Sequence, residues 1–351
     1  MTDTGASSGV SPFPRYTLSN SHGMTLSAIP LGGIITGLCV PDRTGTVKNV
    51  VLGFDDVQDY RDHADLCFGA VIGRYAGRIG GAALSLHGTD YPLTANEGTT
   101  CLHGGLEFST ALWDASTACS DTEASVTFRY VSPDGKNGFP GTVTTEVTYA
   151  LTEDNTVQIH YHAVSDKDTC LCLTNHTYFN LTGDLSDTVL SHTLKADISH
   201  YLELGDTFVP TGTLVSATGT PFDFHAGRAL QSGICSDAPA LRAAGRGYDH
   251  PLVFGNSSQN EDGTHIATLR DPSSGRVLTI TTDAPVMVLY TANWLEEGLP
   301  LHGGISRPHL GVALEVQDYP DAMHHPAFPS PLLRAGESYD RTTTWTFSTE
   351  D

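Results

Sequence analysis

Basic residues are scarce in this chain: 18 Lys and Arg stand against 40 Asp and Glu in 351 residues, a formal net charge of −22. Such a surface repels phosphate backbones and anionic bilayers, which excludes nucleic acid and membrane surfaces as partners and disfavours a polyanionic substrate. No run approaches the 18 consecutive apolar residues of a membrane span, and no basic stretch leading into an apolar one marks a secretory signal. Cysteine is sparse and unpatterned, with seven residues (Cys39, Cys67, Cys101, Cys119, Cys170, Cys172 and Cys235), an odd number without paired metal-ligand spacing. They read as free thiols of a reducing compartment, and the cytoplasm is the expected location. Long amphipathic helix patterns are missing; Ala238 to Ala244 makes at most one short helical turn. There is no phosphate-binding glycine loop, since Gly32-Gly33 lacks the following Lys and Ser/Thr, and no Gly-x-Ser-x-Gly nucleophile elbow.

What the chain does contain is alternation. Val126–Tyr130, Val143–Tyr149 and Val157–Tyr161 alternate apolar and polar residues, separated by turn formers such as Pro133-Asp134-Gly135 and Glu153-Asp154-Asn155, and Val277–Ile280 and Trp345–Phe347 continue the pattern. The 36 Gly and 19 Pro are spread throughout, and no internal repeat or linker divides the chain. This predicts an all-β protein with few short helices, a flexible tail over residues 1–14, and one domain over residues 15–351.

Candidate chemistry begins at Glu315, a carboxylate in the strand-like run Gly311 to Gln317. Side chains alternate along a strand, so Val312, Leu314 and Val316 share an apolar face. Gly311, Ala313, Glu315 and Gln317 form the other, which reads as a cavity wall. A carboxylate there is costly unless paired, hydrogen-bonded or used in proton transfer. Of 16 histidines, His22, His63, His87, His192, His200 and His265 sit in polar or loop contexts and read as solvated. The pair His324-His325 faces opposite ways on an extended segment, which does not make a metal site. His103, in Leu102-His103-Gly104-Gly105, and His176, just after the apolar run Cys170 to Leu173, are either hydrogen-bonded structural residues or parts of a pocket. Arg78 offers a guanidinium fork for hydroxyl or carboxylate groups, with Arg74 as a structural residue beside it. Asp249 stands in a glycine-flanked loop.

Arg78 in GRYAGRI (73–79), His103 in LHGG (102–105), His176 in NHTYFNL (175–181), Asp249 in YDH (248–250) and Glu315 in ALEVQDYPDA (313–322) follow the order and rough spacing of the aldose 1-epimerases, or galactose mutarotases. The chain resembles that family from about Tyr16 to Phe347. The resemblance implies a large antiparallel β supersandwich and interconversion of sugar anomers by ring opening and reclosure. By the same resemblance, Glu315 matches the general base, His176 the general acid, and Arg78, His103 and Asp249 the sugar-binding positions, with no metal and no cofactor. Two positions depart from the family pattern: Gly77 stands where many members have Asn, and Val288 where many have Gln, which removes hydroxyl contacts. The expected substrate is a small free sugar such as galactose or glucose, and either a monomer or a homodimer is compatible with the sequence. Alternatives are an epimerase of hexose 6-phosphates, which needs further cations, a non-catalytic sugar-binding protein, and a metal-dependent hydrolase built on the histidines.

Overall fold

The computed structural model describes residues 2–3, 13–255, 260 and 262–350. The expected tail over residues 1–14 lies largely outside them; within it, Thr2–Asp3 pairs with Leu18 and Ser19. Antiparallel strands dominate, as their alternation requires. A nine-stranded sheet runs in the order Asp114–Cys119, Glu123–Ser132, Val143–Thr152, Thr156–Ser165, Ser338–Thr349, Arg276–Thr282, His265–Arg270, Thr193–Ala196 and Arg228–Ala229. The alternating segments read from the sequence all lie in it. Their register places Val147 opposite Tyr161 and Ile280 opposite Trp345, so the apolar set of each strand falls on one face. The tight turn after Val143–Thr152 works because Asn155 takes the left-handed conformation, at φ 60°.

Two further sheets cover that face. A five-stranded sheet is formed by Thr2–Asp3, Tyr16–Ser19, Thr25–Ala28, Ile35–Pro41 and Val47–Asn49, and a six-stranded sheet by Tyr178–Phe179, Val312–Gln317, Val286–Tyr290, Asp249–Phe254, Ile198–Leu204 and Pro210–Ser216. The main core joins all three, with Phe128, Val147, Ile159, Leu278, Trp345 and Phe347 from the first, Leu18, Leu26 and Leu38 from the second, and Leu289, Val312 and Leu314 from the third. Each such Leu, Ile or Val contributes about 1.5–3 kcal/mol by leaving water. A second apolar cluster, including Ile72, Tyr75, Ile79, Phe139, Cys101, Cys170 and Cys172, packs beneath the loops on the other side of the six-stranded sheet. The Cys170–Cys172 pair therefore serves as small core residues, and all seven cysteines carry free thiols.

Helices are short. Val57–Asp62 is capped by the Asp56 carboxylate, which accepts from the Gln58 N–H at 2.9 Å, and Pro239–Ala243 carries its proline in the first turn. Among the described residues, no helix is long and apolar enough to cross a membrane. Two histidines expected to be solvated are buried. His192 is fully enclosed because its Nε2 accepts the Leu181 N–H at 2.9 Å, and His265 stacks on Phe254 with ring centroids 4.8 Å apart. Polar flanking sequence did not reveal either partner. Arg74 is structural, buried with its guanidinium donating to the carbonyls of Ser132, Pro133 and Pro140.

Candidate active site

The strand Val312–Gln317 is buried on both faces, and the alternation divides it as its sequence implies: Val312, Leu314 and Val316 enter the main core. Glu315 and Gln317 line a cavity of about 420 Å³ on the opposite face. The strand register then selects the neighbours. Tyr178 lies opposite Ala313 on one side; on the other, Tyr290 lies opposite Ala313 and Val288 opposite Glu315. One strand further, Asp249 lies opposite Tyr290 and Pro251 opposite Val288. Tyr178, Tyr290, Asp249, Val288 and Pro251 all line the same cavity. Phe179, next to Tyr178, alternates to the core face and meets Trp345 with centroids 5.0 Å apart.

The opposite wall is built from loops. His103 precedes Gly104 and Gly105, both with positive φ, and a Cβ on Gly104 would lie 2.4 Å from the Gly73 carbonyl oxygen. Glycine is thus required for the turn to nest against the backbone leading to Arg78. The nesting is closed by two bonds: His103 N–H donates to the Gly77 carbonyl at 3.0 Å, and Gly77 N–H donates to His103 Nδ1 at 3.2 Å. His176 enters from the segment joining Thr174–Asn175 to Tyr178–Phe179, its ring edge-on to His103 at 5.3 Å and tilted on Tyr178 at 4.9 Å.

All five residues singled out in the sequence meet here. His176 Nε2 lies 3.5 Å from Glu315 Oε1, with side-chain exposures of 6% and 4%. Arg78 Nη1 lies 3.9 Å from Asp249 Oδ2. Burial pushes the Glu315 carboxyl up to about 8; Asp249 adds to the rise and Arg78 opposes it. Burial likewise raises Asp249. It pulls His176 down to about 4, and drives His103 well below the usual imidazole range, with His176 and Arg78 adding to the fall. Glu315 Oε2, His176 Nδ1 and Gln317 Oε1 are buried without a hydrogen-bond partner. A polar ligand in the cavity is the natural way to satisfy such groups.

Two contributors escaped the sequence reading, and a third was read only in part. Glu97 grips Arg78 in a bidentate pair, at 2.6 Å to Nε and 2.8 Å to Nη2. Burial is the largest single influence on the guanidinium and pulls it down, but Glu97, Asp249 and Glu315 together outweigh it, and Nη1 is left facing Asp249. Phe208 lies under Arg78, 5.3 Å from its ring centroid to the guanidinium carbon. Gln317 was legible as a wall residue but not as a hydrogen-bonding one. Nothing in the local sequence around Glu97 or Phe208 signals their contact with Arg78. Glu97→Gln is expected to raise KM roughly tenfold while changing kcat little, because it loosens a positioning contact and leaves the proton-transfer pair intact; steady-state kinetics checks this, and an unchanged KM would show that Arg78 needs no such support.

His103, His176 and Glu315 are also the trio, among the described residues, whose ligand atoms lie within 4.8 Å of one another. A metal-bound histidine normally donates its other ring N–H to an acceptor. His103 does the reverse: its Nδ1 receives the Gly77 N–H, which leaves the proton of the neutral ring on Nε2. That nitrogen is a hydrogen-bond donor toward a ligand rather than a metal ligand. His324 and His325 bind different oxygens of Asp321, at 2.7 and 3.4 Å.

A family model described as aldose 1-epimerase matches residues 14–346. The chain belongs to the aldose 1-epimerase family. It is 36% identical to the galactose mutarotase of Bos taurus over 97% of this chain and 95% of that one. It is 33% identical to the aldose 1-epimerase of Escherichia coli strain K12 over 97% and 96%. Among solved structures, an aldose epimerase homologue from C. elegans superposes with a TM-score of 0.87 at 31% identity, covering 97% of this chain and 100% of that one. A galactose 1-epimerase from Lactobacillus acidophilus NCFM gives 0.84 at 26%, covering 97% and 95%. The antiparallel supersandwich expected of an aldose 1-epimerase is the fold observed.

Proposed function

We propose that this aldose 1-epimerase interconverts the α and β anomers of free aldohexoses, galactose and glucose among them, with Glu315 as general base and His176 as general acid. The observation that carries the reading is the buried Glu315–His176 pair, 3.5 Å apart, with an unpartnered polar atom on each residue. The activities for which the bovine and E. coli relatives are named support the reaction class. In ring opening, Glu315 takes the C1-hydroxyl proton and a C1=O bond forms. The bond from C1 to the ring oxygen breaks, its electron pair stays on that oxygen, and His176 supplies the proton. Rotation about C1–C2 and reclosure run the transfers backwards on the other face of the aldehyde. Arg78 Nη1, His103 Nε2–H and Asp249 hold hydroxyls further round the ring, and Tyr178 packs against its face.

The same chemistry explains the opposed shifts of the pair. Ring opening needs Glu315 ionised and His176 protonated; reclosure starts from both neutral. One proton serves both states, and burial places it on Glu315. A sugar hydroxyl donating to Glu315 Oε2 stabilises the carboxylate and moves the proton across to His176.

The cavity favours uncharged sugars over hexose phosphates. Arg78 is the one Lys or Arg lining it among the described residues, and Glu97 already occupies two of its donors. Seven free thiols support a reducing, cytoplasmic setting, and the shared core of the three sheets supports one domain over residues 15–351. The test is polarimetry of freshly dissolved α-galactose and α-glucose in EDTA. We expect faster relaxation to the same final rotation, slowed roughly 10²–10⁴-fold toward the uncatalysed rate by His176→Ala. An unchanged relaxation rate of both sugars with the wild-type protein would overturn the reading.

A further inference from the structure

The residues flanking Glu315 fall in an order that matches the atoms of the reaction. On one side of its strand is Tyr178–Phe179, with His176 two residues before it; on the other side, in the row of Glu315 itself, come Val288 and then Pro251. Across the sheet the sequence is therefore His176, Glu315, Val288, Pro251. In the proposed reaction the ring oxygen lies at His176 and the C1 hydroxyl at Glu315. The remaining neighbour of C1 is C2, and one strand spacing of about 4.8 Å sets Val288 beside it.

Neither Val288 nor Pro251 has a side-chain donor or acceptor, and Leu204, Phe208 and Pro210 extend the apolar lining. The polar groups of the sheet lie in the adjoining rows on either side, Tyr290 and Asp249 in the row of Ala313 and Gln317 opposite Val286. A site rejects a sugar lacking a hydroxyl only where that loss leaves one of its own buried polar groups unpaired. The Glu315 row has no such group on the C2 side.

We propose that Val288 makes this enzyme indifferent to the hydroxyl at ring position 2, so that its substrates extend to 2-deoxyaldohexoses. The inference rests on the epimerase reading and fixes a substrate class within it. Val288 acts as a specificity-determining residue: a side chain with an amide there would bond the 2-hydroxyl and make it matter.

The experiment compares kcat/KM for glucose, galactose and 2-deoxyglucose by polarimetry or NMR exchange, with wild type, Val288→Gln and the near-isosteric Val288→Thr. We expect 2-deoxyglucose within about tenfold of glucose for wild type. The gap should widen beyond tenfold in Val288→Gln and in the same direction, by less, in Val288→Thr. Acceleration of glucose and galactose with a larger than tenfold deficit for 2-deoxyglucose in wild type overturns this inference and leaves the epimerase reading standing. A glucose-to-2-deoxyglucose ratio unmoved in both variants overturns the role of Val288. No acceleration of any sugar overturns the underlying reading instead.

Discussion

Glu315→Gln is expected to lower mutarotation by at least about 10²-fold and, in the same protein, to raise folding stability at neutral pH. The first effect follows from losing one of two positioned proton-transfer groups, each worth roughly 10²–10⁴-fold. The second follows from burial. The folded protein holds the Glu315 proton up to about pH 8 against an ordinary value of 4.5. A group whose folded pKa is raised contributes stability that is complete below its unfolded value and is lost as pH rises through the folded one. At about 1.4 kcal/mol per pH unit between 4.5 and 7, the wild type forgoes on the order of 3 kcal/mol at pH 7, and somewhat more at pH 8 and above. Glutamine fills the same volume and does not ionise, so the variant escapes the loss. Denaturant unfolding at pH 4.5, 7 and 9 checks this: the two proteins should converge at pH 4.5 and separate with rising pH. A pH-independent difference would mean that Glu315 is solvated in the folded protein. Inactivity without a change in the pH dependence of stability would place its catalytic role on other grounds than its dry surroundings.

The site was legible in the sequence where local spacing sets the geometry. Glu315 declared itself because strand alternation puts Ala313, Glu315 and Gln317 on one face whatever the rest of the chain does. His103 was marked by the glycines after it, and Gly104 is indeed packed against the Gly73 backbone too closely for any side chain. Arg78, His176 and Asp249 gave weaker local signals, and the family resemblance singled them out. What stayed hidden depends on contacts between distant segments. Glu97 and Phe208 reach Arg78 from loops 19 and 130 residues away, and neither loop has a periodicity that could announce it. The nine-stranded sheet shows the same division: its strands could be read individually, but the insertion of Ser338–Thr349 between Thr156–Ser165 and Arg276–Thr282 is fixed by the global packing of Trp345 and Phe347 into the core. His192 was misread for the corresponding reason, since its buried partner, the Leu181 N–H, belongs to another turn.

The pH profile of kcat/KM should be a plateau bounded near pH 4 and pH 8, with activity falling about tenfold per unit on either side. That parameter reports the ionisations of the free enzyme, and in the free enzyme burial sets His176 at about 4 and Glu315 at about 8. Between those limits the pair carries one proton in total, which is what either direction of the reaction requires. Above the upper limit the last proton leaves and nothing protonates the ring oxygen. Below the lower limit both groups hold protons and nothing receives the one from the C1 hydroxyl. With the two groups 3.5 Å apart, the limits belong to the pair and not to either residue, so removing one partner should shift the limb that remains. In Glu315→Gln, whatever residual activity survives should lose its acidic limb, because the group that receives the C1-hydroxyl proton is gone, and its alkaline limit should fall from near pH 8 toward that of His176, which alone still holds a proton for the ring oxygen. The profile also separates this mechanism from one in which an ordinary surface carboxylate and imidazole act independently: those would titrate near 4.3 and 6.5, with activity lost as the imidazole gives up its proton above pH 6.5. A plateau extending to pH 8 therefore requires the acid proton to be held by the buried pair, and a profile falling from pH 6.5 would refute it.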